Sequence, residues 1–265
     1  MSLVALTSAK HSPGATTAAL ALAATWPPPR RALVVECDPA GGDLAAQQGL
    51  ALDPGLTSLA AASRHGLNPT ATAAHVQPLA VGVDALIAPA SNEQTHGALS
   101  VLSDRLGPAL ANLDGMDAIA DCGRLDLRSP VIALLGRADV VLLVARPTVV
   151  GVEHIRVRVQ ALRGVARKIG VVLVGDRPYG AREVAECLRC EVVGVLAHDP
   201  KGAEALNAGA TMHSLRRSPL VRSARSLSEH LVRALASGSE ETPQPAPDSL
   251  RADAASPNGR SPATP

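Results

Sequence analysis

The sequence predicts an α/β protein in which a doubly wound, mostly parallel sheet carries helices on both faces. Two observations lead there. Short apolar runs at 3–6, 32–35, 85–88, 118–120, 140–144, 171–174 and 192–196 recur along the chain, and runs of that length without polar alternation suit strands buried on both sides. Helical stretches at 15–24, 92–112, 150–168, 181–188 and 220–236 fall between or after them, several bounded by Gly or Pro as start and stop signals. Strand alternating with helix is the pattern of a doubly wound sheet.

Taken in order, residues 2–6 form the first strand. Residues 7–17 join it to an Ala/Leu-rich helix, the context in which a phosphate-binding loop is read. Residues 32–35 lead into Glu36-Cys37-Asp38 and a turn through Pro39, Gly41 and Gly42. Residues 50–80, rich in Ala, Thr, Pro and His, form small helices crossing one edge of the sheet. The strand at 85–88 precedes the long helix at 92–112, and the strand at 118–120 ends in Asp121. The strands at 140–144, 171–174 and 192–196 complete the sheet, and the helix at 220–236 packs on it through Leu220, Ala224, Leu227, Leu231 and Leu235. From Ser237 the chain is Pro, Ser, Ala, Asp and Arg with almost no large apolar side chain. Such a segment cannot offset its ordering entropy by burial, so 1–236 is one domain and 237–265 a disordered tail.

At 265 residues, 46% apolar and 18% charged, the chain reads as globular. A net charge of +1 argues against a strongly basic nucleic-acid binder. Four cysteines give no secreted disulfide framework, no leader opens the chain and no apolar run reaches membrane-spanning length. The expected location is the cytoplasm.

The segment at 7–17 carries the chemistry. A complete phosphate loop converges backbone N–H groups on phosphate oxygens at a helix N-terminus, with a Lys reaching the outer phosphates and a Ser/Thr hydroxyl binding magnesium. Gly14 supplies the turn and Thr16 the hydroxyl, but Ala15 stands at the lysine position. Pro13 offers no N–H, and His11 and Ser12 replace glycines. Lys10-His11-Ser12-Pro13-Gly14-Ala15-Thr16-Thr17 resembles, in degenerate form, the Lys-Gly-Gly-x-Gly-Lys-Thr-Thr Walker A loop of the MinD/ParA family of P-loop ATPases. That family positions septa, chromosomes and pili.

The resemblance implies ATP and Mg2+ as cofactors. It implies that Lys10 reaches across an ATP-sandwich homodimer, and that Gly14, Ala15, Thr16 and Thr17 line the phosphates. Asp38 falls on the acid near the attacking water, and Asp121 on the second magnesium-linked carboxylate beside Thr16. Residues 172–180 end a strand where the family contacts the base, which places Asp176 and Arg177 there. A carboxylate only accepts hydrogen bonds, so Asp176 suits guanine at least as well as adenine, and base identity stays open. Residues 194–201 resemble the loop closing over the base. The ordered series spans about residues 2–235.

Other features carry less. Cys187 and Cys190 supply two ligands where structural zinc needs about four, and are read as buried ordinary cysteines. The histidines, including His65, His75, His96 and His154, are assigned to surface or caps. Arg216, Arg217, Arg222, Arg225 and Arg233, and a second set along 150–168, are read as solvated basic faces; contact with DNA or membrane is not indicated. The leading expectation is a nucleotide-binding spatial or assembly regulator with weak or absent ATP hydrolysis, because loss of an electrostatic donor from a phosphoryl-transfer site typically costs ~2.7–4 kcal/mol. The alternative is a nucleotide-free pseudo-ATPase scaffold for protein–protein interaction.

Overall fold

The computed structural model describes residues 1–10 and 14–238. An eight-stranded sheet runs in the order β3-β4-β2-β5-β1-β6-β7-β8. Its strands are β1 (Leu3–Ser8), β2 (Arg31–Glu36), β3 (Gln77–Pro78), β4 (Asp84–Leu86), β5 (Met116–Arg124), β6 (Val140–Ala145), β7 (Ile169–Val174) and β8 (Val192–Leu196). All neighbours are parallel except β3, which runs antiparallel to β4 at one edge.

The period of two along each strand sorts side chains between two cores. Leu3 and Ala5 of β1, and Ala118, Ala120 and Cys122 of β5, face one core. The helices on that side are α3 (Leu56–Ala62), α5 (Asn92–Leu110), α6 (Val131–Leu135), α7 (Val149–Leu162) and α8 (Ala181–Leu188), with α4 (Pro69–Ala73) against α5. Val4, Leu6 and Ile119 face the other core, under α1 (Ala15–Ala24), α2 (Leu44–Gln48), α9 (Pro200–Asn207), α10 (Met212–Leu215) and α11 (Pro219–Gly238). α1 is buried nearly all round, from Ala18 to Ala23. Its small side chains let it lie between β1 and β5 below and α11 above.

The predicted class stands, and several boundaries move. The helix expected over 150–168 stops at Leu162, because Gly164 is followed by the start of β7 at Ile169. Residues 200–207 are helix α9, begun by the Asp199 side chain accepting from Gly202 N–H at 3.0 Å. Of the predicted disordered tail, residues 237 and 238 lie in the last turn of α11, and 239–265 fall outside the described residues. Cys190 is half-buried and Cys187 exposed, against the expectation that both are buried, since α8 ends beside them at the surface.

Candidate functional site

The site forms where β1, β2 and β5 end and α1 begins. Gly14 caps α1 with φ 95°, a left-handed conformation open to glycine at no steric cost. Among the described residues no side chain caps the helix and no acid lies in its first turn, and the first N–H groups, at Ala15, Thr16 and Thr17, have no intrahelical partner, so the positive end of the helix dipole can accept an anion. Thr17 Oγ1 accepts from Asn207 Nδ2 at 3.0 Å, which ties the start of α1 to α9. Ala15 is buried against the core. Of the predicted loop, His11, Ser12 and Pro13 lie outside the described residues.

The carboxylates come from the neighbouring strands. Asp121, 3% exposed, accepts from the Thr16 hydroxyl and from Gly123 N–H at 3.1 Å. Burial pushes its pKa up to about 6 against the pull of those two donors, and the charges of Asp38 and Asp43 add to the rise. Asp38 is half-buried and turns the chain by accepting from Ala40 N–H at 2.8 Å; burial raises its pKa as well. Its carboxyl lies so close to Gly123 that a Cβ there would sit 1.9 Å from Asp38 Cγ. Asp43, at the start of α2, is exposed. Among the described residues no Lys or Arg pairs with Asp38, Asp43 or Asp121.

Glu36 is a residue that sequence reasoning missed. It is the register partner of Asp121, 2% exposed. Its Oε1 accepts the N–H groups of Asp43 (2.8 Å) and Leu44 (3.0 Å), and its Oε2 accepts that of Ala88 (2.9 Å). One carboxyl thus pins the turn after β2 to the segment after β4. Gly42 lies so close that a Cβ would meet Glu36 Oε2 at 2.6 Å. Burial pushes Glu36 up to about 7, opposed by the three N–H groups. A charged residue at the end of a strand otherwise apolar from Ala32 to Val35 was the available signal.

The remaining predicted residues divide. Lys10 is exposed and lines a 300 Å³ cavity between the loop and α7, with Arg146 and His154. A second groove, 230 Å³, runs from Gly14, Thr17 and Ala18 to the ends of β7 and β8, where His198 and Asp199 lie. Asp176 and Arg177 are exposed beyond β7 and are not among the residues lining that groove.

The donor set suits Mg2+ bound with phosphate. Among the described residues no group of three His, Cys, Asp or Glu side chains could hold a metal. Mg2+ instead keeps several waters and binds through one or two protein groups plus substrate phosphates, and Thr16 Oγ1 with Asp121 is such a pair, placed beside an anion-accepting helix end.

No protein-family model matches the sequence, and no curated protein matches it. Solved structures do match. A ParA family ATPase from Chlorobium tepidum superposes with a TM-score of 0.72 at 18% identity, covering 86% of this chain and 99% of that one. MinD from Pyrococcus horikoshii, complexed with Mg-ADP, gives 0.67 at 16% over 88% and 96%. An ATP complex of McdA from Cyanothece gives 0.64 at 19% over 88% and 96%. Likeness at these identities is likeness of fold, and the chain therefore has the P-loop fold of the MinD, ParA and McdA ATPases.

Proposed function

We propose that the protein is a MinD/ParA-like nucleotide-binding regulator of spatial positioning or assembly, in chromosome partitioning, division-site choice or pilus placement, with slow or absent ATP hydrolysis. The observation that carries the reading is the Thr16–Asp121 pair at the N-terminus of α1, beside carboxylates that no basic side chain among the described residues pairs with. Bound Mg2+ would neutralise phosphate charge at that pair. The N–H groups of Ala15, Thr16 and Thr17 hold the anion, Gly14 lets the chain approach it, and Asp121 fixes the Thr16 hydroxyl. Asp38, held against Gly123, orients water where phosphoryl transfer needs an in-line nucleophile. Hydrolysis is slow because Ala15 carries no charge toward the transferring group.

Lys10 is exposed, which suits contact with a second copy of the chain across bound nucleotide. We infer a homodimer on that ground. We also infer a cytoplasmic protein; no helix among the described residues is long and apolar enough to cross a membrane. Asp176 and Arg177 keep their proposed place near the base only if the segment 175–180 moves toward the groove on binding.

Calorimetric titration with ATP, ADP and GTP in the presence of Mg2+ tests the reading. Saturable binding that Thr16→Ala abolishes supports it, and the preferred base settles the role of Asp176. A second reading, a scaffold that holds no nucleotide, is favoured by Ala15 and by Pro13 in the sequence. Absence of binding by any of the three nucleotides selects it.

A further inference from the structure

We propose that Arg146 supplies the cationic contact to nucleotide phosphates that Ala15 cannot, entering from the strand beside the loop instead of from the loop itself. The inference rests on the nucleotide-binding reading above.

Three features of the structure place it there. β6 is the direct neighbour of β1, with Ser8 in register with Val144, so Arg146 stands two residues past that pair, level with Lys10. Arg146 lines both cavities flanking the loop, the one that contains Ala9 and Lys10 and the one that contains Gly14, Thr17 and Ala18. Its backbone is held: its carbonyl accepts from Thr148 N–H at 2.8 Å, and the start of α7 packs so tightly on it that a Cβ on Gly151 would lie 2.3 Å from the Arg146 oxygen. The side chain, by contrast, is exposed and has no carboxylate partner among the described residues. An anchored backbone with an uncommitted guanidinium over an anion-accepting helix end is the arrangement that bidentate phosphate recognition requires. Arg124, on the strand at the other side of β1, is in register with Ser8 yet lines neither cavity.

Charge balance agrees with the geometry. Among the described residues, Asp38, Asp43 and Asp121 lie at the β2 and β5 side of the loop with no cation paired to them, while Lys10 and Arg146 lie at the β6 side with no ion-pair partner; Asp199, the acid in the second groove, is held instead by the Ser218 hydroxyl and Gly202 N–H. A Mg2+-phosphate group between them presents a cation to the first set and phosphate oxygens to the second.

The test is equilibrium binding, read by calorimetry on the full chain, with Mg-ATP, Mg-ADP and adenosine as probes. Arg146→Ala should weaken Mg-ATP and Mg-ADP by about tenfold to a hundredfold, the range for a charge-assisted hydrogen bond, and leave adenosine unchanged. Arg146→Lys should recover only part of the loss, since the ammonium returns the charge but not the two-pronged hydrogen bonding of the guanidinium, and Ala15→Lys placed in the Arg146→Ala chain should restore binding by returning charge from the loop. Arg182→Ala, on the exposed face of α8, should leave all three affinities unchanged. Thermal unfolding without ligand confirms that each variant is folded; Arg146→Gln replaces Arg146→Ala if the latter is not. Wild-type binding that survives Arg146→Ala within twofold overturns the assignment of Arg146 and leaves the nucleotide-binding reading intact. Failure of the wild type to bind any nucleotide overturns that reading and this one with it.

Discussion

Strand β5 carries two buried aspartates on the same face, Asp117 at 2% exposure and Asp121 at 3%, one under each end of helix α1, and the structure treats them oppositely. Asp117 is fully partnered. Arg30 donates from Nε at 2.7 Å and Nη2 at 2.5 Å, Trp26 from Nε1 at 2.9 Å, and Ser2 from its N–H at 2.7 Å. Asp121 receives one hydroxyl and one N–H, faces other acids, and among the described residues pairs with no cation. A buried carboxylate with a guanidinium, an indole and a backbone donor is a structural fastening. The same group left without counter-charge is arranged for something that arrives later.

The largest test removes the fastening. Asp117→Ala strands Arg30, the Trp26 indole N–H and the Ser2 N–H, and should destabilise the fold by about 3–5 kcal/mol in urea denaturation. The 32% exposure of the Arg30 side chain lets water recover part of that cost. If Asp117→Ala unfolds at the same denaturant concentration as the wild type, the contrast between the two acids is not one of structure against function.

The pH dependence comes next. Glu36 rises from 4.5 to about 7 and Asp121 from 3.8 to about 6 on folding. A raised folded-state value means that the protonated group favours the fold, so this contribution is complete below about pH 4 and disappears as pH climbs through 6 and 7. At about 1.4 kcal/mol per pKa unit, each group accounts for up to about 3 kcal/mol. The ligand-free protein should therefore lose stability between pH 5 and pH 8, and Asp121→Asn should flatten that loss. Saturating Mg-ATP should flatten it too, with proton release on binding detectable from the buffer dependence of the calorimetric heat. A wild-type stability that is level or rising across pH 5–8 contradicts the unneutralised state of these acids.

Asp121→Asn itself has a smaller effect at fixed pH, and of unusual sign. The amide keeps an oxygen for Gly123 N–H and offers an N–H to the Thr16 hydroxyl, which can turn to accept it. At pH 8 the variant sheds a buried charge, and we expect it to be about 1–2 kcal/mol more stable than the wild type while Mg-ATP binding is lost. Loss of stability together with loss of binding would make Asp121 a second fastening.

This pair also shows what sequence could and could not disclose. Both acids sit in one segment, Asp117-Ala118-Ile119-Ala120-Asp121, and the period of two places both on one face, but the sequence singled out only Asp121, as the acid at the strand end. Their difference was not legible, because Arg30 and Trp26 reach Asp117 only after α1 and β2 have folded back along the sheet. The strand series and the α1 boundaries were legible because apolar runs, Gly14 and the Ala-rich stretch are local signals. α2, α6 and α10 were missed because helices of four or five residues are too short for a periodic pattern to show, and α9, no shorter than the predicted α8, because residues 194–201 resemble a loop closing over the base. Gly14, Thr16 and Asp121 emerged from the motif and meet in the structure. Glu36 and Arg146 escaped it, since the role of the first depends on N–H groups of residues 43, 44 and 88, and that of the second on β6 lying beside β1.

The smallest expected effect isolates burial as the cause of the contrast. Arg31 and Asp84 form an ion pair at 2.7 Å near the same end of the sheet as Arg30 and Asp117, but their side chains are 65% and 22% exposed. Water already solvates Arg31, so removing its partner leaves no group stranded in a dry site. Asp84→Asn should cost no more than about 0.2–1 kcal/mol, shrinking further as salt is raised, whereas the cost of Asp117→Ala should change little with salt. If the two variants cost the same, or respond alike to salt, ion pairing alone accounts for the fastening at Asp117. Desolvation would then no longer distinguish it from Asp121, whose missing cation is what marks the other end of the strand as a site.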